Sequence, residues 1–407
     1  MMRAQPMKDA VAVAVVSARG ATRIRAGAPW VFRTELVRGP DTDARDGGPA
    51  VVTVEDPRGK RLGTATWGAR GPIALRVLDR EPGAAPRALP QLVAERLEPA
   101  LAARLAMNLP RDAYRVVHAE SDRLPGLIVD RYADAVVVQT TSAAMHAVRD
   151  EVVEVIRARL QPRVMVVRDD GSARDFEELP RFAGLVAGRD ARVTYRLGDN
   201  RLEADLLTDG KTGGFLDQAD NQAAIAALAP PGARALDAFT FHGGFALALA
   251  RRGGAVLALD ENPAAVERAA ANARRNGLDN MTVERANAFD RLRALEAARA
   301  TFDVVVVDPP ALAKRGGGAS GLATATRAYK ELVLRGARLC EPGGLLVACS
   351  CSGRMSRALW EETCVDALAD AGRTAQVLSR AGAGRDHPEL AGVPETGHLK
   401  AWTFRML

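Results

Sequence analysis

The stretch "ARALDAFTFHGGFALALARRGGAVLALD", residues 233–260, decides the fold of this chain. An apolar strand ends at Asp237, a loop with two glycines leads into an apolar helix, and a second apolar strand ends at Asp260. Strands this apolar, joined through a helix, lie parallel in a sheet that is covered on both faces. The pattern recurs at "FDVVVVDPP", residues 302–310. Residues 191–407 are therefore predicted to form an α/β, doubly wound, mainly parallel Rossmann-like domain.

Two further regions precede this domain. In residues 1–84, short strands broken by Gly, Pro and Asp predict a small all-β domain, a β-barrel. Its first strand is predicted over residues 10–16, where Ala and Val alternate behind a basic N-terminus, a run too short to cross a membrane. Residues 85–190 carry a helical pattern followed by strands around a second helical stretch. They predict a linker helix and a middle α+β domain.

The composition narrows the class of protein. With 47% hydrophobic residues among 407, the chain has enough apolar material for two or three domain cores. A net charge of +6 favours a polyanionic partner, because Lys and Arg bind phosphates. The four cysteines lie within residues 340–364 and offer no second pair for a zinc site. We therefore expect reduced thiols, no metal, no membrane partner and a cytoplasmic location.

The ends of the predicted strands are the places where a doubly wound domain binds its ligand. Asp237 ends the first strand, and Phe239, Gly243 and Gly244 follow; the two glycines let a ligand approach the start of the next helix. This spacing differs from the GxGxxG fingerprint, which serves a pyrophosphate. A ligand without phosphates fits better, and a nicotinamide dehydrogenase is disfavoured.

The next strand ends complete a nucleoside site. Asp260 ends the second strand, where one carboxylate can bind two ribose hydroxyls, and Asn262 follows it. After the third strand, Asn287 or the backbone at Ala288 is placed to hold an adenine. The fourth strand ends at Asp308, which two prolines fix at the sheet edge.

Whole motifs of the chain resemble a known family, the bacterial 23S ribosomal RNA cytosine-5 methyltransferases that carry an N-terminal PUA domain. The resemblance extends over nearly the whole chain and is looser in the first 80 residues, where Ala28 stands in place of an expected His. The segments that carry it are "GAPWVF" (27–32), "LPGLIVDRY" (124–132), "KTGGFLDQADNQ" (211–222), "DAFTFHGGF" (237–245), "VVVDPPALAK" (305–314), "ACSCSGRMS" (348–356) and "DHPELAGVPETGHLK" (386–400).

The resemblance implies S-adenosylmethionine as the cofactor and 23S ribosomal RNA, naked or in early assembly, as the partner. It also implies that the residues 1–84 are a PUA-like RNA-binding domain. The residues predicted to bind the cofactor are Asp237, Phe239, Gly243, Gly244, Asp260, Asn262, Asn287, Ala288, Asp308, Phe215 and Gln218. Those predicted to bind the substrate are Lys211, Pro309, Pro310, Trp30 and Arg33.

Two cysteines in "CSCS" explain how such an enzyme reaches carbon 5 of cytosine. That carbon is a poor nucleophile, so a thiolate must first attack carbon 6. Cys349 and Cys351 share a face of the fifth strand, but Cys351 lies nearer its carboxyl end, where substrate binds. We predict Cys351 as the nucleophile, Asp308 as its catalytic partner on the adjacent strand, and Cys349 as a small buried side chain.

Several alternatives stay open at this point. Methylation of another base is one, although Ala311 follows the two prolines where enzymes that methylate exocyclic amines typically place an aromatic residue. A non-catalytic RNA-binding protein that retains the fold is another. The sequence also leaves open whether the chain forms a homodimer, which base removes the carbon 5 proton, and what His242, His387 and His398 do.

Overall fold

A computed structural model describes residues 12–312 and 318–407 of the chain. Two predicted segments fall partly outside this range. They are the start of the first strand, at residues 10 and 11, and the end of the "DPPALAK" motif, at residues 313 and 314.

The first domain is a mixed six-stranded sheet in the order β2-β6-β5-β4-β1-β3. One element departs from the all-β prediction: helix α1 (Ala18–Arg25) follows the first strand, and the Ser17 hydroxyl caps it by accepting from the Gly20 amide. Its Ile24 packs into the core of this sheet. The strands are β1 (Val13–Val16), β2 (Trp30–Phe32), β3 (Leu36–Arg38), β4 (Val51–Glu55), β5 (Arg61–Trp67) and β6 (Ile73–Asp79).

The middle domain has a five-stranded sheet in the order β11-β10-β9-β8-β7. Only the β9–β10 pair is parallel, and the two helices between these strands provide the crossover that a parallel pair needs. The elements are α2 (Leu89–Ala106), β7 (Ala113–His118), β8 (Leu127–Tyr132), β9 (Ala135–Thr140), α3 (Ala143–Ala147), α4 (Arg149–Leu160), β10 (Val164–Asp169) and β11 (Phe182–Ala187).

A two-stranded hairpin, β12 (Arg192–Leu197) and β13 (Asn200–Asp205), comes next. The alternating strand and helix pattern assigned to residues 191–407 did not anticipate it. Its signal was present in the sequence, because apolar and polar residues alternate on both sides of Gly198 and Asp199. The inward side chains, including Val193, Tyr195 and Leu202, join the core of the following domain.

The last domain is a seven-stranded sheet in the order β16-β15-β14-β17-β18-β20-β19, which confirms the predicted doubly wound, mainly parallel fold. Strand β20 is antiparallel to both of its neighbours. The elements are α5 (Ala219–Leu228), β14 (Ala235–Ala238), α6 (Gly244–Ala250), β15 (Val256–Asp260), α7 (Pro263–Arg275), β16 (Met281–Arg285), α8 (Ala288–Ala297), β17 (Phe302–Val307), α9 (Gly318–Leu339), β18 (Cys340–Ser350), α10 (Arg357–Asp370), β19 (Ala375–Ala381) and β20 (Lys400–Met406).

The centre of this sheet is fixed by burial. The four consecutive valines of β17, residues 304–307, are each at most 1% exposed. Burying one such side chain stabilises the fold by roughly 1.5–3 kcal/mol relative to exposing it. Strand β17 pairs in parallel with β18 so that Val307 lies opposite Ala348. The residues that follow, Asp308 and Cys349, therefore end neighbouring strands at the same edge.

Among the described residues, no helix combines the length and apolar character needed to cross a bilayer.

Candidate active site

Asp237 ends strand β14 in a buried position. Its Oδ2 accepts from the Thr240 hydroxyl at 2.6 Å and from the Ala246 amide at 3.0 Å, which ties the strand to helix α6. Its Oδ1 is buried without a hydrogen-bond partner among the described residues. Burial, with the neighbouring Asp308 carboxylate, raises the pKa of Asp237 to about 7.

Asp260, at the end of β15, holds the loop between β14 and α6. One carboxylate oxygen accepts from the Phe241 amide at 2.8 Å and the other from the Asn262 amide at 2.9 Å. In the loop, Phe239 (φ 69°) and Phe241 (φ 52°) adopt left-handed backbone conformations. Such conformations cost energy in residues with side chains and concentrate at functional sites.

The strand ends carry three carboxylates on adjacent strands, at Asp237, Asp260 and Asp308. Two of them have raised pKa values because they are buried and repel other acids. A ligand with positive charge would relieve that repulsion, and the unpartnered Asp237 Oδ1 is free to accept from it. S-adenosylmethionine, with a sulfonium and an ammonium group, fits these acidic acceptors.

Other predicted cofactor residues have structural partners. The side chains of Asn262 and Asn287 cap helices α7 and α8, and Ala288 is buried behind the second cap. These residues stabilise the loops at the carboxyl edge of the sheet. Contacts between the two asparagines and the cofactor stay a prediction. The loop needs both of its glycines. Gly243 has a left-handed backbone conformation (φ 89°), and a Cβ on Gly244 would lie 2.3 Å from the side-chain nitrogen Nε2 of Gln222.

Asp308 lies at the centre of the site and is half-buried. Gln218 Nε2 donates to its Oδ2 at 3.0 Å, so Gln218 orients this acid. Burial and the Asp217 carboxylate raise the pKa of Asp308 to about 7. At neutral pH the group is thus divided between a proton donor and a proton acceptor.

The two cysteines at the end of β18 differ in burial, as predicted from their distance to the carboxyl end of the strand. Cys349 is 0% exposed, and burial, with the Asp308 charge, raises its pKa well above the usual value. Cys351 lies beyond the strand end, is partly exposed, and has its Sγ 3.9 Å from the Pro309 carbonyl oxygen. Burial, with the charge of Asp308, raises the pKa of Cys351 to about 11. The remaining thiols, Cys340 and Cys364, are buried.

A charged cluster beside Asp308 was missed from the sequence. Asp217 Oδ2 accepts from Lys211 Nζ at 2.7 Å and lies 3.3 Å from His398 Nε2. Burial opposes ionisation of Asp217, yet Lys211 and His398 hold its pKa well below the usual value. The Lys211 ammonium also lies 4.4 Å from the centre of the Phe215 ring. This cluster puts a positive charge near Cys351.

The middle domain holds the "KTGG" loop in place. Thr212 donates its hydroxyl to Asp130 Oδ2 at 2.7 Å, and the Gly214 amide donates to the Tyr132 hydroxyl at 3.0 Å. Asp130 and Tyr132 belong to β8. The position of Lys211 therefore depends on the middle domain.

The same domain holds the C-terminal "DHP" segment. Asp386 is fully buried, and it accepts from Arg111 Nη2 at 3.0 Å and from the Arg115 amide at 2.9 Å. Burial opposes ionisation, but the adjacent His387 and Arg111 lower the pKa of Asp386. Since β20 follows this segment, the middle domain also positions His398. His242, by contrast, stacks on Phe241, and burial lowers its pKa to about 3.

The side chains of the first domain that were predicted to meet RNA have partners inside the protein. Trp30 Nε1 donates to Glu120 Oε1 at 2.9 Å, across to the middle domain. The Arg33 guanidinium donates to the Gly68 carbonyl and lies over the Trp67 ring. Both side chains hold the fold together, and RNA contact by them stays a prediction.

A groove of about 750 Å³ lies between α5, α6 and the β12–β13 hairpin. It reaches Gly244 and is lined by a mixture of alanines, arginines and other polar residues, and neither Asp308 nor Cys351 borders it. The chemistry concentrates at the strand ends, so this groove is separate from the candidate active site.

Comparison with known proteins shows which class of protein this chain is. Residues 230–382 match the family described as "Methyltransferase domain", and residues 15–80 match "PUA-like domain". With the acidic strand ends of a doubly wound sheet, these matches define the chain as a methyltransferase that uses S-adenosylmethionine.

The family follows from full-length relatives. The chain is 34% identical over 395 residues to ribosomal RNA large subunit methyltransferase I of Shewanella amazonensis, which covers 93% of this chain and 95% of the relative. It is 33% identical over 399 residues, with the same coverage, to the enzyme of that name from Tolumonas auensis. The chain belongs to the ribosomal RNA large subunit methyltransferase I family, which confirms the resemblance seen in the sequence.

Solved structures share the whole architecture. The crystal structure of SMU.776 complexed with SAH has a TM-score of 0.81 and covers 97% of this chain and 99% of that chain, at 17% identity. A SAM-dependent methyltransferase structure from Streptococcus mutans gives a TM-score of 0.79 with the same coverage and identity. At this identity the likeness concerns the fold.

Proposed function

We propose that this chain methylates carbon 5 of a cytosine in large-subunit ribosomal RNA through a covalent bond from Cys351 to carbon 6. The observation that carries the proposal is a partly exposed thiol at the carboxyl end of β18, beside a half-buried acid with a pKa of about 7 at the end of the adjacent strand. The ribosomal RNA substrate is supported by the names of the relatives.

The cofactor site supplies a methyl group when S-adenosylmethionine is bound. Asp260 would hold the ribose hydroxyls, and Asp237 the positively charged end, with Gly243 and Gly244 leaving room beside the backbone. Phe215 packs edge-on against Phe241 at 4.8 Å between ring centres, which shields this edge from water. The protein thus binds, orients and encloses the donor beside the thiol.

Cys351 and Asp308 divide the work on the base. The thiol gives its proton to the Asp308 carboxylate, and the thiolate then forms a bond to carbon 6. The electrons of the carbon 5–carbon 6 double bond move to the carbon 4–carbon 5 bond, those of the carbon 4–nitrogen 3 double bond move to nitrogen 3, and Asp308 delivers its proton there. Carbon 5 thereby becomes nucleophilic toward the methyl group that bound S-adenosylmethionine would supply, with S-adenosylhomocysteine as the leaving group.

Release of the methylated RNA requires that the bond between the Cys351 sulfur and carbon 6 is broken. A base removes the remaining proton from carbon 5, the double bond to carbon 6 forms again, and sulfur leaves as a thiolate while Asp308 takes back the nitrogen 3 proton. Asp217 and His398 are titratable groups that the structure places at this edge. The identity of the base stays open.

The direct test incubates the chain with a 23S ribosomal RNA transcript and methyl-labelled S-adenosylmethionine, then digests the RNA to nucleosides. We expect the label in 5-methylcytidine and a cytosine that resists bisulfite at one position. Label in a nitrogen-methylated nucleoside would refute the proposal. Cofactor binding with no transfer to naked or partly assembled RNA would favour a non-catalytic protein.

Asp260→Asn is expected to weaken S-adenosylmethionine binding by about 1.5–3 kcal/mol, because a ribose loses a charged hydrogen bond. Asparagine retains one oxygen for the backbone amides of the loop, so the fold should survive. Calorimetric titration measures the change, and Asp279→Asn, an exposed acid of the same domain, is the control. Equal affinity in the two variants would remove Asp260 from the cofactor site.

RNA binding by the first domain is expected to depend on the turn between β4 and β5. Arg58, Lys60 and Arg61 are exposed there, and their side chains pair with no carboxylate in residues 12–312 and 318–407. Replacing all three with Gln should lower the slope of log affinity against log salt by about 2, because each phosphate contact contributes roughly 0.7–0.9.

The control for this experiment is the triple Gln variant of Arg189, Arg274 and Arg299, which are exposed arginines outside the first domain. It changes the net charge equally. If both triple variants lower the salt slope by the same amount, the first domain contributes only general charge.

Three predictions about partners and location remain. Early or naked RNA as the substrate rests on the resemblance, and the cytoplasmic location rests on the reduced cysteines expected from the sequence. A homodimer has a candidate surface in β11, an edge strand whose Phe182, Leu185 and Val186 are exposed. Exposed apolar edge strands pair readily with another chain.

A further inference from the structure

Lys400 is a buried lysine that the mechanism above does not use. It opens strand β20 and is 2% exposed. Its ammonium donates to the carbonyl oxygens of Ser352 at 2.7 Å, Met355 at 2.8 Å and His398 at 2.9 Å. These three bonds use all the protons of the group.

The charge of this ammonium is not neutralised. Within the described part of the chain, no carboxylate lies within 4 Å of Lys400 Nζ, whereas buried lysines are ordinarily paired. Burial lowers its pKa to about 8, and the charged or titratable groups that face it are Cys351 and Arg357. Of these two, only Cys351 can become an anion.

The pairing of the strands places this charge behind the nucleophile. Lys400 lies opposite Ser350, the residue before Cys351. Two of the three carbonyls that it binds, those of Ser352 and Met355, belong to the turn that leaves β18 immediately after Cys351. The Lys400 ammonium therefore stabilises the turn that carries the thiol.

We propose that Lys400 is a positioning residue that fixes the turn 351–356 and supplies the uncompensated positive charge against which the Cys351 thiolate forms. This inference rests on the proposed function, in which that thiolate attacks the base. The bond that breaks is the S–H bond of Cys351, and its proton passes to Asp308 as described above.

Other groups around the thiol do not replace this charge. Asp308 and Asp217 oppose the thiolate, and Tyr329 is neutral at physiological pH. Lys211 favours the thiolate, but its ammonium is already bound to Asp217 at 2.7 Å. The unpaired cation near Cys351 is thus Lys400 in the region that the structure describes.

The first test measures the rate at which iodoacetamide alkylates Cys351 as a function of pH, by mass spectrometry of its peptide. The other three cysteines are buried, so labelling reports this thiol. Below pH 8, where the Lys400 ammonium is charged, Lys400→Met should slow the alkylation about tenfold, and Lys400→Arg should restore most of the rate. Lys330→Met, which removes a lysine from helix α9, is the matched control and should match the wild type. An unchanged alkylation rate below pH 8 in folded Lys400→Met protein would overturn the proposal.

A second measurement needs no substitution at Lys400. Lysine is scarce in this chain, so the Nζ of Lys400 can be titrated by NMR of lysine labelled at Cε. Iodoacetate leaves a negative group on Cys351 and iodoacetamide leaves a neutral one. Coupling predicts a higher Lys400 pKa in the first adduct, and equal values refute it. Neither test contains RNA, so a positive result would stand even if the base methylated were not cytosine.

Discussion

Cys351→Ala protein is expected to transfer no methyl group to RNA while it still folds and binds S-adenosylmethionine. The thiol lies beyond the end of β18, 3.9 Å from the Pro309 carbonyl, and nothing else at this position can bond to carbon 6. Removing one partly exposed sulfur leaves the strand pairing and the acidic strand ends unchanged. Labelled methyl transfer and thermal unfolding together measure the two halves of this expectation.

Cys349→Ala is the matched control, because it removes the same atom two residues earlier on the same strand. Cys349 is 0% exposed, so this variant should lose some stability and retain turnover. In RNA that contains 5-fluorocytosine, carbon 5 has no proton to lose, and the wild type should form a covalent adduct that survives denaturing electrophoresis. An adduct that persisted in Cys351→Ala and vanished in Cys349→Ala would reverse the assignment.

Asp308→Asn is expected to lower the rate of adduct formation by about 10²–10⁴-fold, because the amide can neither take the thiol proton nor donate one to nitrogen 3. The pH dependence gives a sharper signature. Below about pH 7 Asp308 is protonated and cannot accept from Cys351, so the wild-type rate should rise with pH through about 7. Above about pH 11 Cys351 is ionised as well, so no proton is left for Asp308 to pass to nitrogen 3, and the rate should fall again.

The control for Asp308 is Asp303→Asn, at the opposite end of the same strand, where the carboxylate accepts from the Arg234 amide. This variant should retain the rise near pH 7. Rates are measured with 5-fluorocytosine RNA in a set of buffers at constant ionic strength. A rise that survived in Asp308→Asn would show that another group controls the reaction.

Local pattern was sufficient for the parallel sheet and for the choice between the two cysteines. The apolar runs that end at Asp237 and Asp308 show the strands, and the position of Cys351 beyond the carboxyl end of β18 distinguishes it from buried Cys349. The nucleophile itself stays a prediction until its adduct is measured. These features depend on residues that are neighbours along the chain.

The supporting charges depend on contacts between distant segments, and local pattern cannot show them. Asp217 meets His398 across 181 positions, and Lys400 reaches Ser352 because β20 returns antiparallel beside β18. The polar segment "GHLK" before an apolar strand drew attention to these residues, but the sequence did not show which residues they contact. Helix α1 was missed for a simpler reason, since Arg-rich "ARGATRIR" carries few apolar residues.

Two sets of contacts limit where related genes can recombine and still encode a working enzyme. Asp130 binds Thr212, and Asp386 binds Arg111 and Arg115. In a chimera joined at residue 190, the two residues of each contact would come from different parents. Lys211 and the turn after β18 would then both be misplaced. Residues 85–407 are therefore the smallest cassette that can be exchanged between relatives with its chemistry intact. Shuffling at the 84/85 junction would divide the contacts of Trp30 with Glu120 and of Arg76 with Glu177, but it would leave Lys211 and the turn after β18 with their own partners.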